Sequence, residues 1–177
     1  MGRAVGITRK CLPFLTSNLF RQVVCSLVLC HLDYCSVVWS SASNVLLQKL
    51  QVAQNKAARL VLGCSYSTSV KDMHERLAWS MVKERLSASL LKFFHRVINT
   101  HTPTFFYRNI TSCSEIHTHF TRAASDGLIT FPLPKSNSMK RAAFYRSIML
   151  WNSLPNELRN TREKACFKRK LCLLMHT

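Results

Sequence analysis

The sequence predicts a mainly α fold, a helical bundle followed by a smaller loop-rich α segment that holds at most one short β-hairpin. Three observations point there. With 4 Gly and 5 Pro in 177 residues, turn chemistry is too sparse for a β-rich chain. Leu, Ala, Lys, Arg and Gln, all good helix formers, dominate several windows. Apolar residues recur three to four apart over long stretches, the period of a helix with one buried face. At 47% hydrophobic residues the chain has the material for a real core, as one domain or one and a half.

The first clear helix covers residues 17–30, "SNLFRQVVCSLVLC". Thr16 or Ser17 caps it, and Leu19, Val23, Leu27 and Cys30 line one side. Residues 31–43, "HLDYCSVVWSSAS", mix β-branched and aromatic residues with serines and fit either a further helical stretch or a short extended one. Ser43 or Asn44 opens the second helix, "VLLQKLQVAQNKAARLVLG", and Gly63 ends it by supplying a left-handed cap. Its expected buried stripe is Leu46, Leu50, Ala53, Ala57, Leu60 and Val61.

A third, shorter helix lies in "STSVKDMHERLAW" and a fourth, longer one in "MVKERLSASLLKFFHRVIN". The fourth turns Val82, Leu86, Leu90, Phe93 and Val97 to a core and Lys83, Arg85, Lys92 and Arg96 outwards. Pro103 starts a short element, "TPTFFYRNI". His95 and His101 stand singly beside apolar runs, where a satisfied structural role is the default.

Composition changes after about Ser112, which divides the chain into a helical region, 1–112, and an extension, 113–177. The extension opens with the Asp-Gly, Pro and Asn-Ser punctuation of loops. "LITF" is its one plausible strand, kept at an edge by Pro132 and Pro134. Helix resumes in "RAAFYRSIMLW", where Phe144, Ile148 and Trp151 share a face. Asn152 and Ser153 favour bonds to their own backbone, and Pro155 drives Leu154 out of the helical region, so the chain turns a corner. Leu154 and Leu158 then sit four apart on a second turn, and Trp151 reads as a packing anchor. In the final helix, "REKACFKRKLCLLM", Phe167, Leu171 and Leu174 pack while Lys164, Lys168, Arg169 and Lys170 do not.

Charge narrows the function. Lys+Arg 25 against Asp+Glu 8 gives +17, which makes a polyanion the first partner to consider. The cations sit inside periodic segments, so they decorate folded faces. From Tyr34 to Lys71 there is no Asp or Glu. On the second helix Lys49, Lys56 and Arg59 fall within about 80° of one another and form a basic ridge. A solvated face with no partner has the same pattern, and the missing acids are what favour a ligand.

The eight cysteines do not make a metal site. Cys25, Cys30 and Cys35 are five apart, which scatters them around a helix by about 140° per step. Cys113, His117 and His119 come nearest to a cluster, without a fourth ligand at a familiar spacing. No metal and no cofactor are expected. No uncharged apolar run of about 18 residues is present, so no membrane span is expected. The start, "MGRAVGITRKCLPFL", has neither a signal-peptide core nor the myristoylation pattern. The expected location is therefore intracellular, nucleus or cytoplasm, and not secreted, with the thiols mostly buried and free.

"HLDYCSVVW", "LLQKLQVAQNKAARLVLG", "HTHFTRAASDGLITFPLPKSNSMKRAAFYRSIMLWNSLPNELRN" and "FKRKL" follow one another in order. As an ordered set they resemble the C-terminal region of reverse transcriptases of non-LTR, LINE-type retrotransposons of the jockey and chicken-repeat groups. The likeness runs through nearly the whole chain. It implies a thumb-like 1–112 and a C-terminal extension, 113–177, that together grip template and primer. It implies RNA or an RNA/DNA hybrid as partner, and the cations expected to contact it are Lys49, Lys56, Arg59, Arg122, Lys140, Arg141, Lys168, Arg169 and Lys170. The matching positions Tyr34, Trp39, Trp151, Leu154 and Pro155 are expected to be structural.

Polymerase chemistry needs clustered carboxylates around two metal ions, and no such pair occurs among the 8 acids. The expectation is a non-catalytic piece of such an enzyme that binds nucleic acid through basic helix faces. The alternatives are a decayed transposon-derived protein without function, or part of a full RNA-directed DNA polymerase whose catalytic domain lies elsewhere.

Overall fold

The computed structural model of the chain describes residues 1–116, 127–131 and 133–176. It is 72% helical with about 1% strand, the mainly α fold expected. Contacts divide it into two compact units, Met1–Ser36 with Ala42–Leu86, and Val37–Ser41 with Ser87–Thr177. The compositional shift near Ser112 lies inside the second unit.

The first unit begins with a helix that the sequence pattern did not announce, α1 (Gly2–Cys11). Its two glycines and three cations make a poor isolated helix, and packing on its neighbours holds it instead. Pro13 lies in a 3₁₀ turn (Leu12–Phe14), and Thr16 precedes α2 (Ser17–Val24). The chain continues through a π-helical turn (Cys25–Leu29) into α3 (Cys30–Asp33). The segment that fitted either helix or strand is helical, since α4 (Ser36–Trp39) follows at once, all but its first residue belonging to the second unit. Next comes α5 (Asn44–Leu62), closed by Gly63 at φ +61°, a conformation that glycine adopts without a Cβ penalty. The unit's last complete helix is α6 (Val70–Leu77). α1, α2 and α5 pack pairwise, and α6 packs on α5.

Two expected faces are displaced by one residue. α2 and its π turn bury Phe20, Val24 and Val28, while Leu19, Leu27 and Cys30 are exposed and Val23 is half-buried. Both rows are apolar and one position apart, so period alone does not choose; the inner row carries the bulky Phe20. On α5 the buried residues are Leu47, Gln54, Ala57 and Ala58. Leu46 is 51% exposed, and Leu50, Ala53, Leu60 and Val61 are only half-buried.

The reason for the second slip is polar. Gln54 is fully buried because Nε2 donates to the Ser80 carbonyl (3.0 Å) and Oε1 accepts from Gln51 Nε2 (3.1 Å). Gln51 Oε1 in turn accepts the Val82 amide (2.8 Å). A buried amide with every partner in place is tolerated where an unpaired one is not.

The second unit contains most of α7 (Val82–Thr100), from Ser87 onward, then α8 (Thr104–Tyr107) and α9 (Cys113–Ile116). Within "LITF", Ile129 forms an isolated antiparallel bridge with Ser112, within the limit of one short hairpin. There follow α10 (Asn137–Arg141), capped by Ser136 Oγ accepting the Met139 amide at 3.1 Å, α11 (Ala143–Asn152), α12 (Asn156–Arg159) and α13 (Lys164–His176).

Leu91, Phe94, Ile129, Ile148, Trp151, Leu154, Leu158, Phe167 and Leu171 form this unit's core. Phe94, not Phe93, is the fully buried phenylalanine of α7, and Leu174 of α13 is exposed. Arg146 donates through Nη1 to the Ser40 carbonyl, which ties residues 37–41 into the unit. Burial lowers the Arg146 pKa from its ordinary value.

The corner after Trp151 forms as a turn between α11 and α12, with Pro155 at the cap of α12. Asn152, however, does not spend its side chain on its own turn. Its Oδ1 accepts the Ile129 amide (3.1 Å) and its Nδ2 donates to the Ile129 carbonyl (2.8 Å). This pairs both backbone groups of Ile129 with a single side chain.

Candidate nucleic-acid interface

The sequence-derived basic ridge lies on α5, in the first unit. Lys49 and Lys56 are seven residues apart, nearly two full turns, so both exposed ammonium groups project from one face about 10 Å apart along the axis. Arg59 departs from that picture. It is half-buried, its guanidinium stands 5.2 Å from the centre of the Tyr66 ring, and its Nε is buried without a hydrogen-bond partner. The ridge is therefore two free-standing lysines plus an arginine held against an exposed aromatic ring.

Elsewhere in this unit Arg85, expected to face outwards, is half-buried and bound to Asp33. Its Nε donates to Oδ1 (2.6 Å) and its Nη2 to Oδ2 (3.1 Å). A bidentate pair of this kind removes Arg85 from the cations open to a ligand. Lys83 remains exposed.

The second unit brings together cations that the sequence read separately. Lys92, Phe93, His95 and Arg96 of α7 and Lys164, Phe167 and Lys168 of α13 line a concavity of about 270 Å³. Among the described residues no carboxylate is in that lining. Each helix contributes an i, i+4 pair of cations. The floor is anchored, because His95 stacks on Phe167 (4.1 Å between ring centres, 17° between planes) and its Nε2 lies 2.7 Å from the Thr161 carbonyl oxygen. The Arg96 guanidinium stands 5.8 Å from the centre of the Phe93 ring.

Of the three α13 residues expected to contact nucleic acid, Lys168 lines this groove together with Lys164; Arg169 and Lys170 are exposed outside the lining, and Lys170 Nζ reaches Thr161 Oγ1 at 3.5 Å. Lys140 and Arg141 stand exposed in the last turn of α10. Arg122 lies outside the described residues, as do His117 and His119.

The positions expected to be structural divide sharply. Trp151 is 4% exposed within the core and Leu154 is buried, whereas Pro155 is exposed and Trp39 half-buried. Tyr34 is 78% exposed, so packing in the core is not what it does. Among the described residues no group of three or more His, Cys, Asp or Glu gathers where a metal could be held, and no helix is long and apolar enough to cross a membrane. No protein-family model, curated protein or solved structure matches this chain.

A buried titratable group accompanies the ridge. His74 on α6 places Nδ1 3.1 Å from the Trp79 carbonyl oxygen and Nε2 2.9 Å from Asn55 Oδ1, which also accepts from Gln51 Nε2 (2.9 Å). Burial lowers the His74 pKa, against the Trp79 carbonyl and the Glu84 carboxylate, which both favour the charged ring. The network ties α5 to α6 and to the start of α7, so the helix that carries the ridge is rigidly seated.

Proposed function

We propose that the chain is a non-catalytic, nucleic-acid-binding module that grips the phosphate backbone of RNA or an RNA/DNA hybrid, as the C-terminal region of a LINE-type reverse transcriptase would. The observation that carries this reading is α5 itself, a helix without an acid, on which Lys49 and Lys56 stand exposed within a stretch, Tyr34 to Lys71, that contains no Asp or Glu. A net charge of +17 supplies the long-range attraction to a polyanion. Lysines on a helix face contact phosphates and carry little sequence information, so weak base preference belongs to the same reading.

The test is the salt dependence of binding to a generic RNA. Changing Lys49 and Lys56 to Gln, which keeps helix propensity, should reduce the slope of log K against log[salt] by about 1.4 to 1.8, or about 0.7 to 0.9 for each phosphate no longer neutralised. Lys83→Gln, an exposed cation off the ridge, is the control. Equal effects from the ridge and control substitutions, counted per charge, would show that the charge acts only as a diffuse field and that α5 has no special part.

A further inference from the structure

We propose that the groove between α7 and α13 is a two-sided phosphate clamp, in which Lys92 and Arg96 on one wall and Lys164 and Lys168 on the other hold successive phosphates of one nucleic-acid strand. It deepens the nucleic-acid reading and rests on it, but it names a different site from the α5 ridge.

Three features support the clamp. First, the two i, i+4 pairs place cations at two levels along each wall, about 6 Å apart on each helix, so a strand running along the groove meets positive charge from both sides. Second, the site is electrostatically unsatisfied as it stands. Like charges at i, i+4 repel, and Lys164 opens α13 at the end where the helix dipole disfavours a cation. The first turn of α13 carries no acid, and among the described residues no carboxylate lines the groove. Glu163, just before the helix, is exposed and outside the lining. An anion in the groove relieves all of these repulsions at once.

Third, the groove is pre-organised and gives no purchase to bases. His95, Phe167 and the Thr161 carbonyl fix its floor, and the Phe93 ring already carries the Arg96 guanidinium over it and meets the Phe106 ring edge to face (5.2 Å between centres, 90° between planes). With no free aromatic platform, recognition is of backbone alone and independent of sequence.

The test uses the full chain, a single-stranded RNA homopolymer of about twelve nucleotides, and inorganic tripolyphosphate as a probe without bases or sugars. Lys92→Gln with Arg96→Gln, and separately Lys164→Gln with Lys168→Gln, should each lower the salt slope for RNA by about 1.4. Arg96→Lys should retain the slope, which separates removal of the charge from removal of the guanidinium that stands over Phe93. Tripolyphosphate should raise the Tm of the parent, and of the Lys49→Gln, Lys56→Gln variant, but not of the fourfold groove variant. If RNA binds the parent normally and the groove variants keep its full slope, the clamp is wrong while the nucleic-acid reading stands. If the parent binds no RNA, both fail. An equal rise in Tm for the fourfold variant also overturns the clamp.

Discussion

Replacing Trp151 with Ala tests whether the corner after α11 is a packing device. The indole is 4% exposed, and its ring centre lies 5.6 Å from that of Phe94 and 6.0 Å from that of Phe167. Truncating a buried Trp to Ala costs about 3 to 5 kcal/mol, the spread reflecting how far the site collapses. Here collapse is restricted. The neighbours are rings, and His95, a further neighbour at 6.3 Å, is held by its hydrogen bond to the Thr161 carbonyl. Loss of ring pairing, about 0.5 to 1.5 kcal/mol per pair, pushes the same way, so the upper half of the range, about 4 to 5 kcal/mol, is expected. Against a total stability of about 5 to 15 kcal/mol, that brings the second unit close to unfolding. Urea unfolding followed by far-UV circular dichroism measures the loss, with the half-buried Trp39→Ala as a milder comparison. RNA affinity, corrected for the folded fraction, should be nearly unchanged. A variant that unfolds at the parent's urea midpoint but loses RNA affinity would refute the packing argument and make Trp151 a binding residue.

His74 gives a pH prediction with a definite sign. Because burial holds its folded pKa below the ordinary 6.5, the unfolded chain binds the proton more tightly; stability from this residue is complete above about pH 6.5 and is lost progressively as pH falls below it. Urea midpoints across that range should fall more steeply for the parent than for His74→Gln, and parallel curves would contradict the assignment. Ala78 ends α6 in the left-handed region at φ +53° and is exposed, so Ala78→Gly removes strain without removing packing. It should raise stability by about 1 kcal/mol in the same assay, and a lowered midpoint would show that the gain in unfolded-state entropy dominates.

What the sequence pattern revealed is the period of the helices and many of their ends. Gly63 closes α5, and Pro155 marks the corner, because local backbone chemistry decides such positions. The phase of a helix is set otherwise. α2 carries two adjacent apolar rows, and only tertiary packing chooses Phe20, Val24 and Val28 over Leu19 and Leu27. α5 turns Gln54 inwards because the Ser80 carbonyl and the amide of Gln51 satisfy it, partners that no hydrophobic pattern encodes.

The same limit governs the candidate sites. The α5 ridge lies within one helix, so its spacing was readable; even there, Tyr66, beyond the end of that helix, draws Arg59 aside. The α7–α13 groove joins Lys92 and Arg96 to Lys164 and Lys168 across more than sixty residues of chain. Each pair alone has the pattern of a solvated surface, since i, i+4 cations on an exposed helix face are common. Their meaning changes when two such pairs line one concavity without a carboxylate, because the repulsion that each helix tolerates alone is then concentrated in one place. Sequence spacing identifies which side of a helix is charged; the fold decides whether that charge faces water or more charge of its own sign, and only the second case creates a demand for an anion.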